Sequence, residues 1–331
     1  MQGRVQHQNI KQDEGLYFYD FNVQVQDQQK EILSGLKTSP KTISAKYFYD
    51  EKGSQLFEAI TSLPEYYPTR TEIQLLRQYH EQILQMAGQQ CLLIEYGSGA
   101  STKIRLLLDA LKPKAYVPMD ISKDFLFDCA VKLRAQFPWL EIHATCLDYH
   151  QGATLPQQLP ANFKKVGFFP GSSLGNFTPS ESLDFLKSVR SNVGDNGAFL
   201  IGVDLVKDSS ILNAAYNDAQ GVTAAFNLNI LNHLNRLGDG NFNNEHFSHY
   251  AYFNEQESRI EMHLTSDLDQ VVYIFGEHFV FKAGETIITE YSYKFVPQEF
   301  ERLAMAAGFE VNKMWTDEGK NFALFWLEAA P

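Results

Sequence analysis

Between residues 91 and 205, short apolar runs alternate five times with longer stretches of helical spacing. This alternation limits the fold more than any other feature. The runs are 91–96, "AYVPMD" ending at Asp120, "EIHATCLD" ending at Asp148, "KKVGFF" and "GAFLIGVDLV". Strand and helix in strict alternation predict a parallel sheet covered on both faces. A helix over 70–88 precedes the first strand. The order then breaks: 208–235 is helical in character, and 245–295 carries alternating runs such as "RIEMHL" and "TIITEYSYKF", which read as antiparallel strands. After 296 a helix and two more strands close the chain. The expected architecture is α/β, with one domain from 68–205 and 296–331. A second, mixed α+β domain, inserted at 206–295, is completed by 15–67. Residues 1–14 are expected to be a loose tail.

The first strand ends abruptly in "LLIEYGSGAS", where Gly97 and Gly99 bracket a serine. Glycines at the C-terminal end of a parallel strand let a ligand approach the backbone closely. Asp120 ends the second strand 21 residues after Gly99, where an acid can accept from both ribose hydroxyls. Asp148 ends the third, within reach of an adenine amino group. Alone, either aspartate reads as a turn or cap residue. "GSGASTK" is not GxxxxGK[ST], and its sixth position is Thr102 rather than the third glycine of GxGxxG. S-Adenosylmethionine, which has no phosphate to cradle, fits the remaining pattern, and a closing pair of strands after the fifth suits a methyltransferase. A net charge of −12 without a basic cluster argues against nucleic acid. Three scattered cysteines match neither a disulfide framework nor a zinc site, so a reducing cytoplasm and no metal are expected. Residues 1–15 lack the apolar segment of a secretory leader, and no run is long enough to span a bilayer.

Several longer stretches resemble one family. "KYFYDEKGSQLFEAITSLPEYYPTRTE" (46–72), "EYGSGASTK" (95–103), "FFPGSSLGNFTP" (168–179), "DLVKD" (204–208), "AAYNDAQGVTAAFNLNIL" (214–231) and "ITEYSYKF" (288–295) are similar to the histidine-specific Nα-methyltransferases of ergothioneine biosynthesis. The resemblance runs from about residue 30 to the C-terminus. It implies a Rossmann-like class I methyltransferase sheet and transfer of three methyl groups from S-adenosylmethionine to the α-amine of L-histidine, giving hercynine. Histidine and its mono- and dimethylated forms would be the small-molecule partners, with no nucleic acid, membrane or obligate protein partner. Gly97, Lys103, Asp120, Asp148 and Tyr149 match the family's cofactor positions, with Lys103 reaching the methionine carboxylate. Position 149 is tyrosine where the family pattern has phenylalanine, which adds a hydroxyl. Tyr49, Tyr66, Gly171, Asn176, Tyr216, Met262, Glu290 and Ser292 match positions around the histidine. Asn176 and Tyr216 would hold its carboxylate, while Tyr66, Glu290 and Ser292 would read the imidazole. Tyr49, Gly171 and Asn176 would lie nearest the chemistry.

Each of these residues has a plainer reading. "EYSYK" alternates, so Glu290, Ser292 and Lys294 share one strand face and Tyr291, Tyr293 and Phe295 the other. By itself that is a solvated face over a core face. Met262 alone is core, Lys103 alone an exposed helix lysine, and "GNFTPSES" a loop leading into a capped helix. Two other functions compete: methylation of another small amine, or non-catalytic binding of an adenosyl compound.

Overall fold

All five residues of the strand Leu92–Tyr96 are buried, as a strand covered on both faces requires. It lies in a computed structural model that describes residues 8–13, 15–21, 25–99, 103–149, 152 and 154–330. In chain order the elements begin with β1 (Gln8–Asp13), β2 (Leu16–Asp20), α1 (Val25–Leu36), β3 (Lys41–Thr42), α2 (Glu51–Ile60) and α3 (Tyr67–Ala87). The alternating region follows as β4 (Leu92–Tyr96), α4 (Arg105–Leu111), β5 (Ala115–Asp120), α5 (Lys123–Gln136), β6 (Glu141–Cys146), β7 (Lys165–Phe169), α6 (Pro179–Val193) and β8 (Ala198–Asp204). Then come α7 (Ser209–Tyr216), α8 (Val222–Gly238), β9 (Phe247–Asn254), β10 (Arg259–Ser266), β11 (Gln270–Ile274), β12 (Glu277–Phe281) and β13 (Thr286–Tyr293). The chain closes with α9 (Pro297–Ala306), β14 (Phe309–Thr316) and β15 (Phe322–Ala329).

These elements form two compact units. The first takes the N-terminal strands, Arg70–Leu205 and the chain from Phe295 onward. Its nine-stranded sheet has the order β1-β2-β6-β5-β4-β7-β8-β15-β14. The strands from β2 to β8 are parallel, and β15 runs antiparallel to β8. The order reverses at β4, between β5 and β7, so a crevice opens at the C-terminal ends of those strands. α6 starts with a complete capping box, in which Thr178 and Glu181 satisfy each other's backbone N–H groups.

The N-terminal segment departs from expectation. Of the proposed loose tail, residues 8–13 form β1, and 1–7 and 14 lie outside the described residues. β2, assigned from sequence to the second domain, instead pairs parallel with β6 in the first sheet. The reason is edge protection. β6 would otherwise present a row of unpaired backbone groups to solvent, and β2 covers it while burying Leu16 and Phe18. The helix after the glycine turn, α4, starts at Arg105, and residues 100–102 before it lie outside the described residues.

The second unit takes Val23–Thr69 and Val206–Lys294. A four-stranded sheet, β3-β13-β10-β9, shares one apolar cluster with α7 and α8. The region 208–235, read as helical in character, holds two helices. Asp218 stops the first and caps the second, accepting from the Val222 and Thr223 N–H groups, with Gly221 at φ +73° between them.

Phe18→Ala tests the β2 placement. A buried phenylalanine truncated in a packed core costs about 3 kcal/mol or more, so urea denaturation should show a loss of that order. A loss below about 0.5 kcal/mol, the size of an ordinary surface substitution, would mean that β2 does not belong to this core.

Candidate functional site

In the first unit the glycine turn after β4 is tied to β5. Gly97 and Gly99 have φ of +67° and +48°, a region that side chains with a Cβ enter only with strain. The Gly99 N–H donates to Asp120 Oδ2 (2.9 Å) and the Ser122 N–H to Oδ1 (3.0 Å). Burial pushes the Asp120 carboxyl up, and these backbone bonds hold it down. Each oxygen still has a lone pair to offer a ribose hydroxyl. A Cβ at Gly97 would meet Tyr149 Oη at 3.0 Å, so the hydroxyl that separates this chain from the family pattern sits against the turn. Asp148 beside it is buried.

Lys103 is not the exposed helix lysine of the plain reading. Its ammonium donates to Glu72 Oε2 on α3 (2.5 Å), and Glu72 is fully buried. The Gly171 N–H donates to both Glu72 oxygens (2.9 and 3.1 Å). A single carboxylate therefore joins α3, the residue leading into α4 and the loop after β7. Gly202 of β8 lies directly beneath it, where a Cβ would collide with the carboxylate. Ser172, next to Gly171, accepts from the Asp204 N–H (2.8 Å), and Asn176 ends the 3-10 turn that follows. Glu95 is a second buried carboxyl, held by the Tyr116 hydroxyl; desolvation pushes it up to about 8. Glu72 and Glu95 were both missed as site residues. Only Glu95 carried a local signal, as an acid inside the apolar run "LLIEY".

In the second unit the expected residues form a wall and a floor. Tyr49 packs edge-on to Phe57, Phe57 to Tyr66, and Tyr66 to Tyr216, with centroids 5.8, 6.3 and 6.4 Å apart. Met262 is buried directly opposite Glu290, next to a bulge between β10 and β13. That bulge leaves Thr289 extra on β13, where its hydroxyl donates to Asn227 Oδ1 (2.7 Å). Bulges of this kind re-aim the side chains beside them.

The faces of "EYSYK" are the reverse of the plain reading. Tyr291 and Tyr293 are only half-buried and flank the Arg259 guanidinium, which stacks on Tyr291 at 3.8 Å. Ser292 (3% exposed) and Lys294 (4%) instead point inward. Tyr216 Oη donates to Ser292 Oγ (2.8 Å), and the Lys294 ammonium donates to Ser292 Oγ (2.8 Å) and Tyr216 Oη (3.2 Å). Tyr216 and Ser292, expected at opposite ends of the substrate, thus share one network. Glu290 is half-buried, and desolvation pushes its carboxyl up to about 7 against the opposing field of Lys294. Lys294 is the residue that sequence reasoning placed on this face but left without a role.

The sequence profile of the histidine-specific, S-adenosylmethionine-dependent methyltransferases matches residues 28–329. The chain belongs to that family. It is 38% identical over 302 residues to a histidine N-alpha-methyltransferase of Mycolicibacterium smegmatis, covering 89% of this chain and 93% of that one. The corresponding Mycobacterium tuberculosis enzyme matches to the same extent. The Neurospora crassa ergothioneine biosynthesis protein 1 is 32% identical over 306 residues, covering 88% of this chain and 33% of that longer protein. The first unit has the class I methyltransferase fold, and its parallel strands and antiparallel β15 follow the expected pattern.

The methyltransferase's turn gives a direct test. Asp120→Ala should weaken S-adenosylmethionine binding by about 1.5–3 kcal/mol, the cost of losing charged hydrogen bonds. Asp120→Asn, which keeps an acceptor for one backbone N–H, should retain the melting temperature. Unchanged affinity in both variants by calorimetry would remove Asp120 from the cofactor site.

Proposed function

We propose that this methyltransferase transfers three methyl groups to the α-amine of L-histidine, giving hercynine, the first step of ergothioneine biosynthesis. The observation that carries this reading is the inward-facing polar row of β13, Glu290 and Ser292, set in an apolar core. Buried polar groups of this kind persist when they have a partner to bind. Imidazole, with a donor and an acceptor, is such a partner. The names of the mycobacterial relatives support the same substrate.

The residues of the first unit fit the cofactor. Gly97 and Gly99 leave the backbone open, Asp120 has acceptor capacity for a ribose, and Asp148 for an adenine amino group. Lys103, already steadied by Glu72, would meet the methionine carboxylate, and Tyr149 would pack on the adenine. S-Adenosylmethionine, when bound, supplies an electrophilic methyl group on a sulfonium. The protein's part is to hold a neutral amine in line with it, a proximity effect. Asn176 would anchor the substrate carboxylate, and Met262 and Tyr66 would pack on the ring; Tyr216, expected at the carboxylate, gives its one proton to Ser292 and would hold that serine in place instead. Tyr49 would give the methylated ammonium an aromatic face, and the Gly171 carbonyl would face the cationic centre. Among the described residues no helix is long and apolar enough to cross a membrane. Three buried cysteine thiols suit a reducing cytoplasm.

Glu290→Ala tests the substrate assignment. It removes the charged acceptor and opens volume beside Met262, so the kcat/KM ratio of histidine over tryptophan should collapse. A site built on hydrogen bonds separates such substrates by about 10⁴-fold. Cofactor affinity should be unchanged. An unaltered ratio would return Glu290 to a structural role. Histamine, which lacks the carboxylate, should be a poor substrate of the wild type; efficient histamine methylation would remove the role given to Asn176.

A further inference from the structure

Ser292 Oγ accepts two hydrogen bonds, one from Tyr216 Oη and one from the Lys294 ammonium. A serine oxygen has two lone pairs and one proton. With both lone pairs engaged, the proton is what Ser292 has left to offer a ligand. We propose that Lys294 is a positioning residue which fixes Ser292 as a donor and Glu290 as an acceptor, so that the pocket takes imidazole only as the neutral ring in one tautomer.

The proposal rests on the histidine reading and deepens it. A donor hydroxyl requires a ring nitrogen with a lone pair; a carboxylate requires an N–H. Neutral imidazole supplies both, in one orientation. Imidazolium has two N–H groups and no acceptor, so it would set an N–H against an oxygen whose lone pairs are occupied, close to a buried ammonium. Lys294 would therefore exclude the charged ring by hydrogen-bond mismatch and by repulsion.

Lys294 also acts on Glu290. Its field opposes the desolvation that pushes the carboxyl up to about 7, and so favours the ionised acceptor. The other ionisable groups of the neighbouring elements are engaged elsewhere. On β10, Arg259 pairs with Glu261 and stacks on Tyr291, and His263 stacks on Tyr252. On β9, His249 bonds through Nε2 to the Tyr216 carbonyl (2.9 Å) and is pushed down by burial. On α7 the group is Tyr216 itself. Lys46, in the 3-10 turn before Tyr49, is paired with Glu31 (2.6 Å), and Lys41 on β3 is paired with Glu285.

Two measurements test this. The first uses the wild-type enzyme with ring-¹⁵N histidine and S-adenosylhomocysteine at about pH 6.5, where free imidazole is about half protonated and Glu290, pushed up to about 7, is still partly ionised. The expected NMR spectrum of the bound ring shows one protonated and one bare nitrogen. Two protonated nitrogens would overturn the proposal while leaving the substrate assignment intact. If neither binding nor methylation of histidine occurs, the histidine reading falls and the proposal with it. The second compares wild type with Lys294→Met, which keeps length but loses charge and donors. KM for histidine should rise on the order of tenfold, the loss of a charge-assisted hydrogen-bond network, with cofactor affinity unchanged. Ionised Glu290 is the stronger acceptor and has no proton to set against the ring N–H, so activity falls as pH drops through its pKa. Removing Lys294 should move that acid limb of kcat/KM upward by about half a pH unit or more, since a nearby cation favours the charged carboxyl. An unmoved acid limb with unchanged KM, or equal losses toward histidine and cofactor, would show Lys294 to be a packing residue only. Should Lys294→Met fail to fold, Ser292→Ala gives the same decision: loss of discrimination between neutral and protonated ring is expected, and its retention would overturn the proposal.

Discussion

One buried carboxylate holds the working edge of the first unit together. Glu72 has no exposed surface, so its charge must be met by protein groups or it would not persist. It is met by the Lys103 ammonium and by the Gly171 N–H. Those partners come from loops that follow different strands, so a single side chain sets the spacing of the crevice floor. The arrangement explains a glycine inside β8, because a Cβ at Gly202 would occupy the space of the carboxylate. It also changes the meaning of Lys103. A lysine on a free stem samples many rotamers, whereas one already paired has little freedom left to lose.

The second unit applies the same rule with the opposite sign. There the buried charge is an ammonium, Lys294, and two hydroxyls and the nearby Glu290 carboxyl meet it. Each unit therefore carries a buried charged group met by hydrogen-bonding neighbours. Such groups are costly to bury and gain their worth by fixing donors and acceptors around them. The bulge at Thr289 is part of the same construction, since it sets where the inward-facing row of β13 begins.

Much of this was legible in the residues. The alternating runs from 91 to 205 gave the sheet, because period and glycine punctuation are local signals. The glycine turn and Asp120 stood out for the same reason, and the Gly99–Asp120 bond joins the two features. What was not legible depended on long-range pairing. Nothing local in Leu16–Asp20 says that it will cover β6 rather than join the neighbouring segment of the chain. The faces of "EYSYK" have the same period whichever one points inward, so alternation alone could not orient them. Only the apolar residues of β10 opposite, Ile260 and Met262, decide that Glu290 and Ser292 face the core. Glu72 and Lys294 were invisible as partners because each finds its role across a fold that periodicity does not describe.

The central claim is that a methyl donor and free histidine are the two substrates of this chain. It is tested most directly by incubating the purified protein with isotopically labelled S-adenosylmethionine and each of the twenty amino acids separately, and weighing the products. The account predicts label on histidine, carried to three methyl groups on the α-nitrogen, with the other amino acids essentially untouched. Equal labelling of several amino acids, or a labelled ring nitrogen in place of the α-amine, would contradict it.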